Sequence, residues 1–94
     1  MNRVELVSSI ANVTELRKTD VDKMLGAFVD TVKIALADGE DVRLIGFGTF
    51  FTVHRDASEG RNMRTGEPMQ IPARDIPKFK PGKQLKDAVA RRTK

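Results

Sequence analysis

Basic side chains are the most concentrated chemistry in this sequence. Lys78–Lys94 carries seven Lys and Arg against one acid, a net charge of +6. Thr52–Pro77 carries four of each, and Met1–Phe51 has a net charge of −2. The 94-residue chain is +4 as a whole, so its positive charge is gathered at the C-terminal end. Such a block attracts a phosphate backbone, because bound Lys and Arg release condensed counterions. It reads equally as a solvated helix end with a basic tail, Arg91, Arg92 and Lys94. Other chemistries find no support. There is no Cys, which excludes disulfides and thiolate-held metals. The single histidine, His54, has no second imidazole with which to build a zinc site or a relay, and reads as a strand residue. The carboxylates have no partner nucleophile, and Gly46-Phe47-Gly48 is a turn, not a nucleotide-binding loop. No metal, cofactor or catalytic constellation is implied, and the expectation is a protein that is not an enzyme.

Composition sets the frame for this charge. With 39% hydrophobic and 32% charged residues, the chain is too apolar for a disordered tail and too charged for a membrane protein. No apolar run nears the roughly 20 residues of a membrane span, and Met1–Ile10 does not read as a signal peptide. The expectation is a single soluble, cytoplasmic domain spanning 1–94.

Periodicity places the elements. Asn2 caps a first helix, with Glu5 completing a capping-box pair, and Leu6, Ile10 and Val13 recur at helical spacing over about 3–15. Thr19 reads as the next N-cap, followed by the apolar stripe Val21, Met24, Leu25, Phe28, Val32, Ala35 and Leu36. That helix ends near Asp38 with Gly39 as its stop, and the short connection implies an antiparallel helix pair. Asp41–Ile45 alternates as a strand, and Thr49–Arg55 is a second strand. Arg61–Gly66 forms a turn, and Glu67–Ile76 is extended, with Pro68, Pro72 and Pro77 marking an edge or exposed ribbon. Pro81-Gly82 precedes a last helix at about 83–91. The stretch 52–77 has too few apolar residues for a core of its own. The remainder is so small that two chains are expected to share one core.

Several separated motifs then agree in order and spacing. Gly46-Phe47-Gly48-Thr49-Phe50, Gly60-Arg61-Asn62, Thr65-Gly66, Ile76-Pro77 and Phe79-Lys80-Pro81-Gly82-Lys83 together resemble the bacterial histone-like HU / integration host factor family. The resemblance covers essentially the whole chain. It implies an α+β fold: two N-terminal helices, a short antiparallel sheet with an extended β-ribbon arm, and a short C-terminal helix, in an intertwined dimer. The helical body and sheet start fall at 1–51, the arm at 52–77 and the basic C-terminal segment at 78–94. The implied function is architectural: double-stranded DNA is bent and compacted by arms in the minor groove, with little sequence specificity. Bent, nicked or flexible sites are preferred, and the protein is nucleoid-associated. Two alternatives stand beside it. One is a subunit of a sequence-preferring heterodimer of the integration-host-factor kind. The other is a weak-armed structural or protein-interaction member of the fold.

The resemblance also assigns residues. Met63 falls where a hydrophobic wedge enters between base pairs, in a slot the family usually fills with Pro. An exposed tip methionine with no energetic role is the competing reading. Arg55, Arg61, Arg64 and Arg74 are the arm's DNA-binding cations, set against Asp56, Glu59, Glu67 and Asp75, which leave the arm neutral. Family arms are usually more basic. Asn62 either bonds in the groove or makes the turn. Lys80, Lys83 and Lys86 form the phosphate-binding floor, with Lys83 and Lys86 three apart on one helical face. Arg3, Lys18 and Lys23 are secondary candidates. Leu44, Phe47, Phe50 and Phe79 are assigned to the dimer core, while Phe51, next to Phe50, faces the other way.

Overall fold

The computed structural model describes residues 1–92, arranged in two compact units, one ending at Ile34 and the other starting at Ala35. In the first unit, α1 (Arg3–Thr14) opens with the expected capping box. The Asn2 side-chain oxygen accepts from the Glu5 N–H at 2.9 Å, and the Glu5 carboxylate accepts from the Asn2 N–H at 3.5 Å. Glu15 ends the helix in the left-handed region at φ 60°. After that sharp stop α2 (Lys18–Ala37) starts two residues earlier than an N-cap at Thr19 would place it. The Val21 N–H already donates to the Arg17 carbonyl at 3.0 Å, so Thr19 lies inside the first turn and is not the cap. Val7, Ala11 and Val21 are buried together, with Ile10 and Leu25 packed against them. Arg3 donates through Nε to the Asp22 carboxylate at 2.9 Å and through a terminal nitrogen to the Asp22 carbonyl at 3.1 Å.

The second unit begins with the end of α2. Gly39 adopts φ +82°, its N–H donating to Leu36 while the Glu40 N–H donates to Ala35. This is the Schellman arrangement that the glycine makes available. β1 (Val42–Leu44), β2 (Gly48–Arg55) and β5 (Arg74–Pro81) form an antiparallel sheet in the order β1-β2-β5. β1 pairs only as far as Val42 with Phe50, whereas β2 and β5 stay paired out to Arg55 with Arg74. The two-stranded ribbon thus begins at Phe51 and Lys78, one residue either side of the expected arm. After a break at 56–57 and 72–73, β3 (Ser58–Arg61) and β4 (Pro68–Ile71) carry the ribbon to its tip. The extended segment expected at 67–76 is interrupted at Pro72 and Ala73, because Pro72 has no N–H to give to a ladder. α3 (Lys83–Ala90) follows, tied back by a 2.8 Å bond from the Gly82 N–H to the Phe47 carbonyl.

Register decides which side chains share a face. Residues directly opposite one another lie on the same side of the sheet, and neighbours along a strand alternate. One face therefore holds Val42, Leu44, Gly48, Phe50, Thr52 and His54 with Asp75, Pro77, Phe79 and Pro81. The Phe79 ring lies 4.8 Å from that of Phe50 and 5.3 Å from that of Phe47, which sits in the turn before β2. Phe79 also covers Gly48, where a Cβ would stand 2.5 Å from the Phe79 Cζ.

Candidate nucleic-acid interface

The opposite face of the same sheet is cationic. Arg43, Thr49, Phe51, Val53 and Arg55 share it with Arg74, Ile76, Lys78 and Lys80. It holds five basic residues and no acidic one. The neutral charge of the arm region hides this segregation, because Asp75 points to the aromatic face and Asp56 lies past the end of β2. Arg55, Arg74 and Lys80 were anticipated from sequence, and all three are exposed. Arg43 and Lys78, which join them, were not. The signal for Lys78 is the period of two that Arg74, Lys78 and Lys80 share, readable only once β5 is known to pair with β2, and Arg43 joins the face by pairing with Thr49.

The ribbon base carries a like-charged pair, since Arg55 stands directly opposite Arg74. Such a pair is unfavourable by several tenths of a kcal/mol unless an anion lies between the two groups. The neighbouring position on the other face is the reverse case. His54 Nδ1 lies 2.8 Å from the Asp75 carboxylate and Nε2 lies 3.1 Å from that of Asp56. The lone histidine is a strand residue clasped by two aspartates.

At the tip the backbone closes on itself. The Asn62 N–H donates to the Glu67 carbonyl at 2.8 Å and the Gly66 N–H to the Asn62 carbonyl at 2.7 Å. The Asn62 side-chain oxygen accepts from the Arg64 N–H at 2.9 Å, which commits that oxygen to the turn. Gly66 takes φ +74°, a conformation that glycine adopts without strain. This framework leaves Met63 completely exposed, between the exposed Arg61 and Arg64. Behind the tip, Gly60, Met69 and Ile71 share one face of the β3–β4 ladder, and Glu59 and Arg61 share the other.

Lys80 is followed within three residues by Lys83, the first residue of α3, and Lys86 lies one turn on. All three lysines are exposed. The α3 N-cap is Gly82, which supplies no side-chain acceptor to the first backbone N–H groups. Arg91 and Arg92 form the turn after α3, while Lys94 lies outside the described residues. In the first unit the Arg3 guanidinium is engaged by Asp22, while Lys18 and Lys23 are exposed. Leu44, Phe50 and Phe79 share the aromatic face, and Phe47 adjoins it at 45% exposure.

Fold and site together define an arm-bearing α+β module with one cationic sheet face and an apolar residue presented at the arm tip. The family model described as "Bacterial DNA-binding protein" matches residues 1–90. DNA-binding protein HU 1 of Bacillus subtilis is 49% identical over 90 residues, covering 96% of this chain and 98% of the relative. DNA-binding protein HU-beta 2 of Neisseria meningitidis is also 49% identical, covering 95% of this chain and 98% of its own. Among solved structures, the Anabaena HU–DNA cocrystal structure matches with a TM-score of 0.91 and 41% identity, over 96% of this chain and 98% of that one. HU from Thermotoga maritima matches with a TM-score of 0.67 and 34% identity, over 95% and 98%. The chain belongs to the bacterial DNA-binding protein family of the HU type.

Proposed function

We propose that this protein binds double-stranded DNA as a homodimer and bends it, with little base readout, as a nucleoid-associated architectural protein. The observation that carries this reading is the one-sided sheet: five basic residues and no acid on the face that continues into the arm. Phosphates attract such a face, and an anion between Arg55 and Arg74 would turn their repulsion into a shared contact. Arg61 and Arg64 reach the groove from the tip, Met63 enters between base steps, and Asn62 holds the turn that presents it. Lys80, Lys83 and Lys86 supply the floor, assisted by the first N–H groups of α3. Nothing in this scheme requires a catalytic residue or a cofactor.

The dimer is supported by what one chain leaves uncovered. Only Val7, Ala11 and Val21 are buried hydrophobics of the core among the described residues. Phe28 is 41% exposed and Ile34 64%, and Phe47 and Phe79 stay partly exposed at 45% and 38%. Leu44, Phe47, Phe50 and Phe79 are the residues proposed to join a shared core. Sedimentation of the free protein should give a mass near twice 10.5 kDa.

The test of DNA binding is titration of one duplex, intact and nicked, across a salt series. Each neutralised phosphate contributes about −0.9 to the slope of log affinity against log salt. A slope of several units with tighter binding to the nicked duplex is expected. A slope near zero, or no preference for the nick, would defeat the proposal in favour of a member of the fold that binds other proteins.

A further inference from the structure

The cationic face is not uniformly polar. Phe51, Val53 and Ile76 lie within it, half-buried, with Val53 directly opposite Ile76 and Phe51 directly opposite Lys78. They are on the reverse side from the Phe47, Phe50 and Phe79 rings, so they are not part of that aromatic cluster. They also lie beyond the last residue that β1 pairs, on the two-stranded part of the ribbon. Arg55 and Arg74 bound this apolar patch on the arm side, and Lys78 and Lys80 on the body side. A surface meant only for phosphates gains nothing from apolar groups in its middle. Among the described residues this face carries no acid that would discourage a duplex from lying on it.

We infer that Phe51, Val53 and Ile76 form a contact surface for the deoxyribose edges of a DNA minor groove and make this face select DNA over RNA. The inference rests on the proposed DNA binding and adds a specificity to it. Between the two strands of a minor groove, the groups left after the phosphates are paired are sugar C–H edges and base edges. Deoxyribose offers an apolar edge that these three side chains cover. Ribose places a 2′-hydroxyl there, in the wide, shallow minor groove of A-form RNA. That hydroxyl would be pressed against groups that neither donate nor accept, and an unpaired buried polar group is costly. The sugar contact is also distinguishable from the phosphate contacts, because apolar burial releases no counterions. It changes the level of a log affinity against log salt plot without changing its slope.

The experiment compares the wild type with Phe51→Thr and Val53→Thr on a DNA duplex and an RNA duplex of the same sequence across a salt series. Threonine keeps strand propensity, and Val53→Thr preserves shape, so it serves if the larger change perturbs folding. Far-UV circular dichroism checks both variants. On DNA, each variant should give a line parallel to the wild type and displaced about fivefold to tenfold toward weaker binding, the scale of uncovering one small apolar surface. The wild type should prefer DNA to RNA, and the variants should narrow that ratio at least threefold, since the threonine hydroxyl gives a 2′-hydroxyl a partner. Superimposed lines for wild type and variants on DNA would overturn the inference. So would a DNA-to-RNA ratio that the variants leave unchanged, which would assign the preference to duplex shape. A wild-type slope near zero on DNA is a separate outcome, and would defeat the DNA-binding proposal itself.

Discussion

Replacing Gly48 with alanine tests the packing that holds the two sides of the sheet apart. Gly48 is buried and pairs with Pro81, and its φ is not in the left-handed region, so the effect is one of space alone. A Cβ there would stand 2.5 Å from the Phe79 Cζ, 2.7 Å from its Cε1 and 2.6 Å from the Lys80 carbonyl oxygen. The ring cannot simply swing aside, because Phe47 and Phe50 flank it at 5.3 and 4.8 Å. The carbonyl belongs to the β5 backbone, so relief requires moving the strand. Overpacking of this kind costs about 1–3 kcal/mol. The stiffer unfolded chain returns about 0.4–1 kcal/mol. A net loss of about 1–2 kcal/mol follows, and at about 4–8 °C per kcal/mol for a domain of this size Tm should fall by about 5–15 °C. Thermal unfolding followed by circular dichroism is the assay, at one fixed chain concentration because an obligate dimer melts in a concentration-dependent way. Gly60→Ala is the comparison. There the nearest atom, at 2.7 Å, is the terminal Cδ1 of Ile71, a flexible group able to rotate away, and the Tm change should be under about 2 °C. Equal losses in the two variants would refute the distinction between a backbone clash and a side-chain one.

Four further outcomes are expected. Lys78→Gln combined with Lys80→Gln should make the salt dependence of duplex binding shallower by about 1.8, two phosphates at about 0.9 each. Asp75→Asn, which raises the net charge but sits on the aromatic face, should leave that slope unchanged. Met63→Ala should abolish the kink read by energy transfer between dyes on the duplex ends, with affinity for the intact duplex about tenfold weaker and Met63→Pro restoring the kink. Asn2→Ala should remove the α1 cap at a cost of about 1 kcal/mol in thermal unfolding, with no effect on the salt slope.

Local signals were read correctly where the chemistry is local. The capping box needs only Asn2 and Glu5, and the stop at Gly39 needs only one residue able to take φ +82°. Thr19 misled because a hydroxyl residue before a helical stripe is a cap only if the chain enters the helix there. The left-handed Glu15 lets the helix begin at Lys18. The two-faced arm lay beyond reach for a different reason. Its faces depend on the β2–β5 register, and a slip of one residue would exchange every side chain between them. Lys78 and Arg43 join the cationic face only through that register, and the neutral net charge of the arm conceals it. Sequence leaves Asn62 between the groove and the turn, and the bond from the Arg64 N–H commits its side-chain oxygen to the turn.

The pairing of His54 with Asp75 and Asp56 bears on how such a protein would condense a chromosome. A ribbon with cations on both sides would join two duplexes, one against each side, and would cross-link separate strands into a mesh. Here the reverse side of the ribbon base offers carboxylates instead, with Asp75 on that face and Asp56 just beyond it. A second duplex approaching from that side meets repulsion. The ribbon base would thus offer its cations to a duplex on one side only. At this position such a protein would favour folding one duplex back on itself over tying two duplexes together.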